Sequence, residues 1–370
     1  METQLKSQRL QSLDALRGFD MFFLMGGDAI LVALAVLFPI PFFQTIAEQT
    51  EHVAWHGLAF EDMIFPVFLF IAGISFPFSL AKQKEKGMDT AAIYKKIIRR
   101  GLTLVLLGCI YNGLLNLDFE NQRYASVLGR IGLAWMFAAL IFINTKAKTR
   151  VGIVALLLVG YWLLLAFCPA PDGNGDPFSM EGCLVGYIDR LFLPGKLYKG
   201  IHDPEGILGI IPAIGTASLG MLTGAWIKLK REGLSEMRKV YRLLACGAGL
   251  IVIGILWNFV FPINKNLWSS SFTCVVGGIA MILFALFYYV IDIKECRKWT
   301  LFFRVIGMNS ITIYIAQHFF NFSFTNQLIF GGLASLFPET AQPLILAFGY
   351  TALTWGFLYF LYKQKIFLKV

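Results

Sequence analysis

The sequence predicts an all-α fold, a polytopic transmembrane helix bundle of about ten spans with both termini in the cytoplasm. Three observations carry that prediction. The chain is 57% hydrophobic and only 15% charged, where a soluble domain has about 25% charged residues. Its apolar residues gather in runs of about 20, the length that crosses a bilayer as a helix. Its Lys and Arg residues fall in short clusters between alternate runs, which is the signature of cytoplasmic loops.

The expected spans are 16–40, 60–81, 97–115, 125–144, 151–168, 206–227, 240–260, 272–293, 300–319 and 341–362. The fifth is the shortest, and Arg304 interrupts the ninth near its start. Most of the 32 basic residues lie before the first span, in 82–100, 146–150, 228–242 and 294–304, and after the last span. The positive-inside rule places those segments in the cytoplasm, and an even number of spans agrees. The opposite side keeps Arg123, Arg190, Lys196, Lys199 and Lys265 and carries three longer polar segments, 41–59, 169–205 and 319–340. Long ordered loops are where recognition is usually built, so the outer face is the expected place for substrate. The whole chain, 1–370, reads as a single integral-membrane domain. The first apolar run is too long for a signal peptide, and no cleavage site follows it.

The net charge of +9 is accounted for by the membrane topology, so nucleic acid is not expected as a partner; the lipid bilayer is. The six Cys residues show no metal-ligand spacing with His, so no metal is expected. Cys168 and Cys183 are candidates for a disulfide if both face the oxidising side. No HExxH, GxSxG, Walker or Rossmann pattern occurs, which leaves metal hydrolase, ATPase and nicotinamide chemistry unsupported.

Polar residues inside apolar runs are costly and therefore candidates for function. Asp28, in MGGDA, lies about 12 residues into the first span, roughly 18 Å at 1.5 Å per residue. Its other reading is a packing carboxylate neutralised by a neighbour. Asp14 and Arg17 stand three apart at the mouth of the same helix, as an ordinary surface pair would. His52, Trp55 and His56 share a face in EHVAWHGLAFED, with Glu61 and Asp62 following. An imidazole there takes a proton from an amine or accepts an acyl group. Trp55 suits either a sugar or the membrane interface, and Glu61 and Asp62 suit a helix start. Arg130 lies about six residues inside the fourth span and needs an anion or a carboxylate partner such as Asp28. Asp203 and Glu205 in HDPEG open a helix. Asn264, Lys265, Asn266 and Trp268 form INKNLWS, and Asn309 with Ser310 sits mid-membrane in GMNSITIY, where interhelical hydrogen bonding is the plain alternative.

The blocks LDALRG, HVAWHGLAFEDMIFP, YASVLGRIGLAW, DPEGILG, NKNLWS and GMNSITIY, in that order, resemble the heparan-α-glucosaminide N-acetyltransferase family. The chain looks like a bacterial member, since the large lumenal N-terminal part of the animal enzyme is missing. The resemblance implies transfer of an acetyl group from cytoplasmic acetyl-CoA to the amine of a glucosamine-type sugar on the periplasmic side. It also implies residence in the bacterial inner (cytoplasmic) membrane and a homodimer.

On that resemblance His52 is the active histidine. Asp28 takes the place of the family's active-site Asn, a departure that would let a carboxylate orient His52 or pair with the substrate ammonium. Trp55, Asp62, Arg130, Asp203, Glu205, Asn264, Asn266, Trp268 and Asn309 are the candidates for binding the acceptor, with Asn264 or Asn309 placed to steady an oxyanion. Arg17, Arg99 and Arg100, together with Lys95, suit the anionic end of acetyl-CoA. The competing expectation is a transporter for amino sugars or N-acetylglucosamine-related compounds, since buried polar residues suit that too. The absence of an evident inverted repeat weakens it.

Overall fold

The computed structural model describes residues 10–368, and what it describes is helical. Among the described residues strand pairing is limited to one isolated bridge, Arg123 with Gly195. Eight helices are long and apolar enough to cross a membrane: Gln11–Leu37, Glu61–Glu85, Val127–Asn144, Ala147–Phe167, Ile210–Lys228, Glu236–Trp257, Ser270–Ile293 and Gln342–Lys363.

Two of the expected spans take other forms. Thr90–Tyr111 is a continuous helix, but Lys95, Lys96, Arg99 and Arg100 fill its first turns and reduce its apolar length. The run 300–319 is broken into Thr300–Met308 and Ser310–Phe319, with Asn309 at the break in a non-helical conformation (φ −127°, ψ 26°). The polar segments 41–59, 169–205 and 319–340 hold structure that hydropathy did not indicate: helices Pro41–Glu48, Leu184–Phe192 and Phe322–Ala334.

The chain divides into two compact units. The first comprises 1–50, 235–241 and 282–369. In it the opening helix packs on Thr300–Met308, and Gln342–Lys363 packs on Phe322–Ala334 and on the helix that starts at Asp28. Gly18 and Gly307 make the first crossing close: a methyl on Gly18 would strike the Phe303 carbonyl, and one on Gly307 the Asp14 carbonyl. The opening helix carries a π-turn at Phe23–Gly27, where Gly26 adopts φ 128°, a conformation open to glycine at little cost. Asp28 follows directly, half-buried. A cavity of about 480 Å³ in this unit is lined by Gln11, Asp14, Tyr288, Asp292, Arg297 and Arg304, among others.

The second unit comprises 51–234 and 242–281. Its centre is the pairing of Glu61–Glu85 with Ile210–Lys228, on which Val127–Asn144 and Ala147–Phe167 also pack. Small residues set that pairing. Side chains at Gly73, Gly220 or Gly224 would run into the carbonyls of Ala217, Phe70 and Ile74 respectively. Lipid tails are as apolar as Leu, so helices in a bilayer are held by close van der Waals approach, and small residues permit it. The order of this helix pair fixes the start of Glu61–Glu85, and with it the loop that precedes it. Replacing Gly220 with Val is expected to abolish a monodisperse peak in detergent size-exclusion chromatography. Gly160→Ala, at a site with open space around it, is expected to leave the peak unchanged.

Candidate functional site

The loop 51–60 enters the Glu61–Glu85 helix and is anchored from several directions within the second unit. Gly57 donates its N–H to the Ile263 carbonyl at 2.8 Å. Trp55 donates its indole N–H to the Phe178 carbonyl at 2.7 Å, and Lys199 reaches the Ala54 carbonyl at 3.2 Å. The chain here is irregular but ordered, because each neighbouring loop supplies a polar partner.

The central contact is between His52 and Asp62. The imidazole Nδ1 lies 2.9 Å from Asp62 Oδ1, with the His52 side chain 58% exposed and that of Asp62 1% exposed. Asp62 stands in the first turn of its helix, where the macrodipole favours an anion. Its other oxygen accepts the N–H groups of Ala59 at 3.1 Å and Val53 at 3.4 Å. A carboxylate so placed accepts from Nδ1–H, which leaves Nε2 as the acceptor nitrogen of the ring. Lys265 completes the group: its ammonium is 3.4 Å from Asp62 Oδ1 and 3.2 Å and 3.4 Å from His52 Nδ1 and Nε2.

The INKNLWS turn presents Lys265 by burying its neighbours. Asn264 is fully buried; its Oδ1 accepts from the Leu267 N–H at 2.8 Å and its Nδ2 donates to His56 Nδ1 at 3.2 Å. The Asn266 carbonyl lies 3.2 Å from His202 Nε2. Trp268 holds a positive φ of 52° and is buried, with its indole N–H on Thr216 Oγ1 at 3.1 Å. These residues are framework, and Lys265 between them is the side chain that reaches the imidazole. Burial pulls His56 below the ordinary histidine range, against the charge of Asp176.

A buried polar knot supports the site from behind. Arg123 grips Asp203 with two bonds, Nε to Oδ2 at 2.8 Å and Nη2 to Oδ1 at 2.7 Å, and also meets Glu205. Burial alone would raise the Asp203 carboxyl, but the Arg123 guanidinium and backbone N–H groups hold it below the usual carboxylate range. Burial alone would lower the Arg123 guanidinium, but the Asp203 and Glu205 carboxylates raise it above the usual arginine range. Burial takes His202 down to about 4, so it is neutral. Its Nε2–H donates to Asn266, and its Nδ1 faces the Cys183 thiol at 3.8 Å. Cys168 and Cys183 are therefore not bridged: both are free thiols, and Cys183 is committed to the core at His202. The Trp55 ring meets the His202 ring edge to face at 5.2 Å, and Lys199 lies 5.5 Å from the Trp55 centroid. Trp55 is thereby a wedge between loops.

Arg130 is buried, with Nη2 donating to the Gly206 carbonyl at 2.9 Å and its guanidinium 5.1 Å from the Trp268 ring centroid. Its Nε and Nη1 make no hydrogen bond among the described residues. Asp189, on Leu184–Phe192, accepts the Ile207 N–H at 2.8 Å, and burial pushes its carboxyl up to about 7.

The remaining candidates lie elsewhere. Asp28 and Asn309 belong to the first unit; Asp28 Oδ1 accepts the Ala29 N–H at 2.7 Å, and Asn309 is buried at its helix break. Arg17 pairs with Asp14 at 3.8 Å. Arg99 is exposed, and Arg100 lies over the Trp135 ring at 4.3 Å. His52, Trp55, Asp62, Arg130, Asp203, Glu205, Asn264, Asn266 and Trp268 thus share one unit. Lys265 and Lys199 join them as residues the sequence reading did not assign to a site. The signal for Lys265 was its place between two named asparagines. For Lys199 the sequence held no signal beyond its being one of few basic residues in the outer loops.

Fold and site together define a multi-pass, all-helical membrane protein with a histidine–carboxylate pair at the entry to one of its spanning helices. Residues 9–255 match the family described as heparan-alpha-glucosaminide N-acetyltransferase, catalytic, and the chain belongs to that family. The human heparan-alpha-glucosaminide N-acetyltransferase is 29% identical over 374 residues, covering 86% of this chain and 56% of the human protein. The mouse protein of the same name is 28% identical over the same coverage. The chain spans a little over half the length of these relatives.

The Asp189 carboxyl gives a test of the knot. An acid with a raised folded value binds more protons folded than unfolded between about pH 4 and 7, so it withdraws stability as pH rises through that window. Asp189→Asn keeps an acceptor for Ile207 and removes the titration. The variant's melting temperature is expected to fall less than the wild type's between pH 5 and pH 8, read by differential scanning fluorimetry in detergent.

Proposed function

We propose that this protein is a transmembrane N-acetyltransferase that carries an acetyl group from cytoplasmic acetyl-CoA to the amine of a glucosamine-type sugar on the opposite, periplasmic side of a bacterial inner membrane. One observation carries the reading: an exposed imidazole whose Nδ1 is held by a buried carboxylate, in a chain of this family. That arrangement is what a base aimed at an amine requires.

In the reaction the amine nitrogen attacks the acetyl carbonyl carbon, the C–S bond of the thioester breaks, and CoA leaves as thiolate. The amine proton passes to His52 Nε2. Asp62 keeps Nδ1 protonated, so that Nε2 is the basic nitrogen throughout, and it stabilises the imidazolium that forms. The interaction is charge-assisted and stronger than a neutral hydrogen bond. Loops 169–205 and 261–269 supply the framework around the acceptor, with Trp55 fixing their spacing. Arg17, Arg99 and Arg100 are the basic residues suited to the phosphates of the donor, on the side where positive charge accumulates. Assembly as a homodimer is consistent with the family reading.

Purified protein incubated with labelled acetyl-CoA and glucosamine tests the reaction. The wild type is expected to yield N-acetylglucosamine. His52→Ala is expected to lower the rate at least about 10²-fold, the contribution usual for a positioned base, with an unchanged elution profile. Asp62→Asn is expected to lower kcat more than it raises KM. Acceptor uptake by vesicles without acetyl-CoA, and no acetylated product with it, would replace this reading with a transporter.

A further inference from the structure

Lys265 has an unusual place beside a base. Its ammonium lies 3.2 Å and 3.4 Å from the two nitrogens of one imidazole. Nδ1 already faces Asp62 Oδ1 at 2.9 Å, so the cation does not use that nitrogen as an acceptor. It is a charge set against the ring, tethered by Asp62 at 3.4 Å. A protonated ring would place a second positive charge at that distance.

We infer that Lys265 is a positioning charge for His52, its ammonium opposing the imidazolium that Asp62 favours. The two partners act on His52 in opposite directions. Together they fix the ring with Nδ1 toward Asp62 and Nε2 as its acceptor nitrogen. The positions are imposed by the fold: Asp62 by its helix start, and Lys265 by the buried asparagines on either side of it.

Other ionisable groups near the ring are less direct. Glu51 is its chain neighbour, and His56 is bonded to Asn264. Lys199 holds the Ala54 carbonyl, and burial together with the nearby Lys265 draws its ammonium below the ordinary lysine range. Asp176 acts on His56, and Glu205 on Lys199. His56 and Lys199 are engaged elsewhere, so removal of Lys265 leaves Asp62, at 2.9 Å, as the dominant charge on the ring.

This inference rests on His52 serving as the base of the proposed transfer, but its test does not need acetyl transfer. Neutral imidazole reacts with diethyl pyrocarbonate and imidazolium does not. The rate of His52 carbethoxylation against pH, read site by site from fragment mass spectra of the detergent-purified protein, therefore reports its protonation. Lys265→Met is expected to move the midpoint up by about one pH unit or more, the size of a unit charge about 3.3 Å away in a largely hydrated setting. Lys265→Arg is expected to leave it in place, and Asp62→Asn to move it down. In active protein the acidic limb of kcat/KM is expected to follow the same shifts. An unmoved midpoint in Lys265→Met overturns the inference, even if activity falls. If that variant does not fold, an unmoved midpoint in Asp62→Asn overturns it. Wild-type protein without transferase activity but with these midpoint shifts would sink the functional reading and leave the inference standing.

Discussion

A carboxylate with almost no exposure, placed where a membrane helix begins, is the constraint on which this site depends. Asp62 cannot sit there without partners, because an unpaired buried charge costs several kcal/mol. It has four: two backbone N–H groups, an imidazole and an ammonium. Those partners come from the loop before the helix and from a turn some two hundred residues later in the chain. Satisfying one charge thus fixes the position of His52 and Lys265 together. The helix itself is fixed by close glycine-mediated packing on Ile210–Lys228, so the anchor is rigid at its base.

The surrounding loops follow the same logic. Segment 169–205 is rich in turn residues, yet it is ordered, with Cys183 and Val185 in an apolar cluster. Its order comes from buried polar pairs, Arg123 with Asp203 and Glu205, and His202 with Asn266 and Cys183. A network of this kind is stable only when nearly complete, since each orphaned member costs about as much as a lost hydrogen bond. Such a framework holds a reacting geometry better than an apolar patch would, because hydrogen bonds specify direction.

Hydropathy and charge clustering made the membrane class and most of the spanning helices legible. They failed at Thr90–Tyr111 and at 300–319 for physical reasons. In the first, basic residues occupy the first turns of a real helix. In the second, a largely apolar run conceals a backbone break at Asn309, which no hydropathy window detects. His52 was legible from its motif. The role of Asp62 was not, since a carboxylate at a helix start already has a sufficient explanation as a first-turn acid, and its reach back to His52 depends on how the intervening loop turns. Asn264, Asn266 and Trp268 drew attention as rare polar and aromatic residues; all three are buried in the turn, and Lys265 between them is the side chain that reaches His52. Arg130 was expected to need an anion or a carboxylate; it donates to a backbone carbonyl and faces Trp268, within the field of Glu205, Asp189 and Asp203. Asp28 and Asn309 fall in a different unit from His52, a division that sequence spacing does not reveal.

The central claim is that His52 Nε2 takes the proton of the amine as that amine attacks the acetyl carbon, which sets the ring beside the acyl end of the donor. A structure of the protein with a non-transferable acetyl-CoA thioether analogue tests it most directly. The account predicts density for the acyl end of the analogue within about 4 Å of His52 Nε2, near-attack range, with Nδ1 still on Asp62. An analogue bound with its acyl end away from His52, or with the imidazole turned so that Nδ1 has left Asp62, would contradict it.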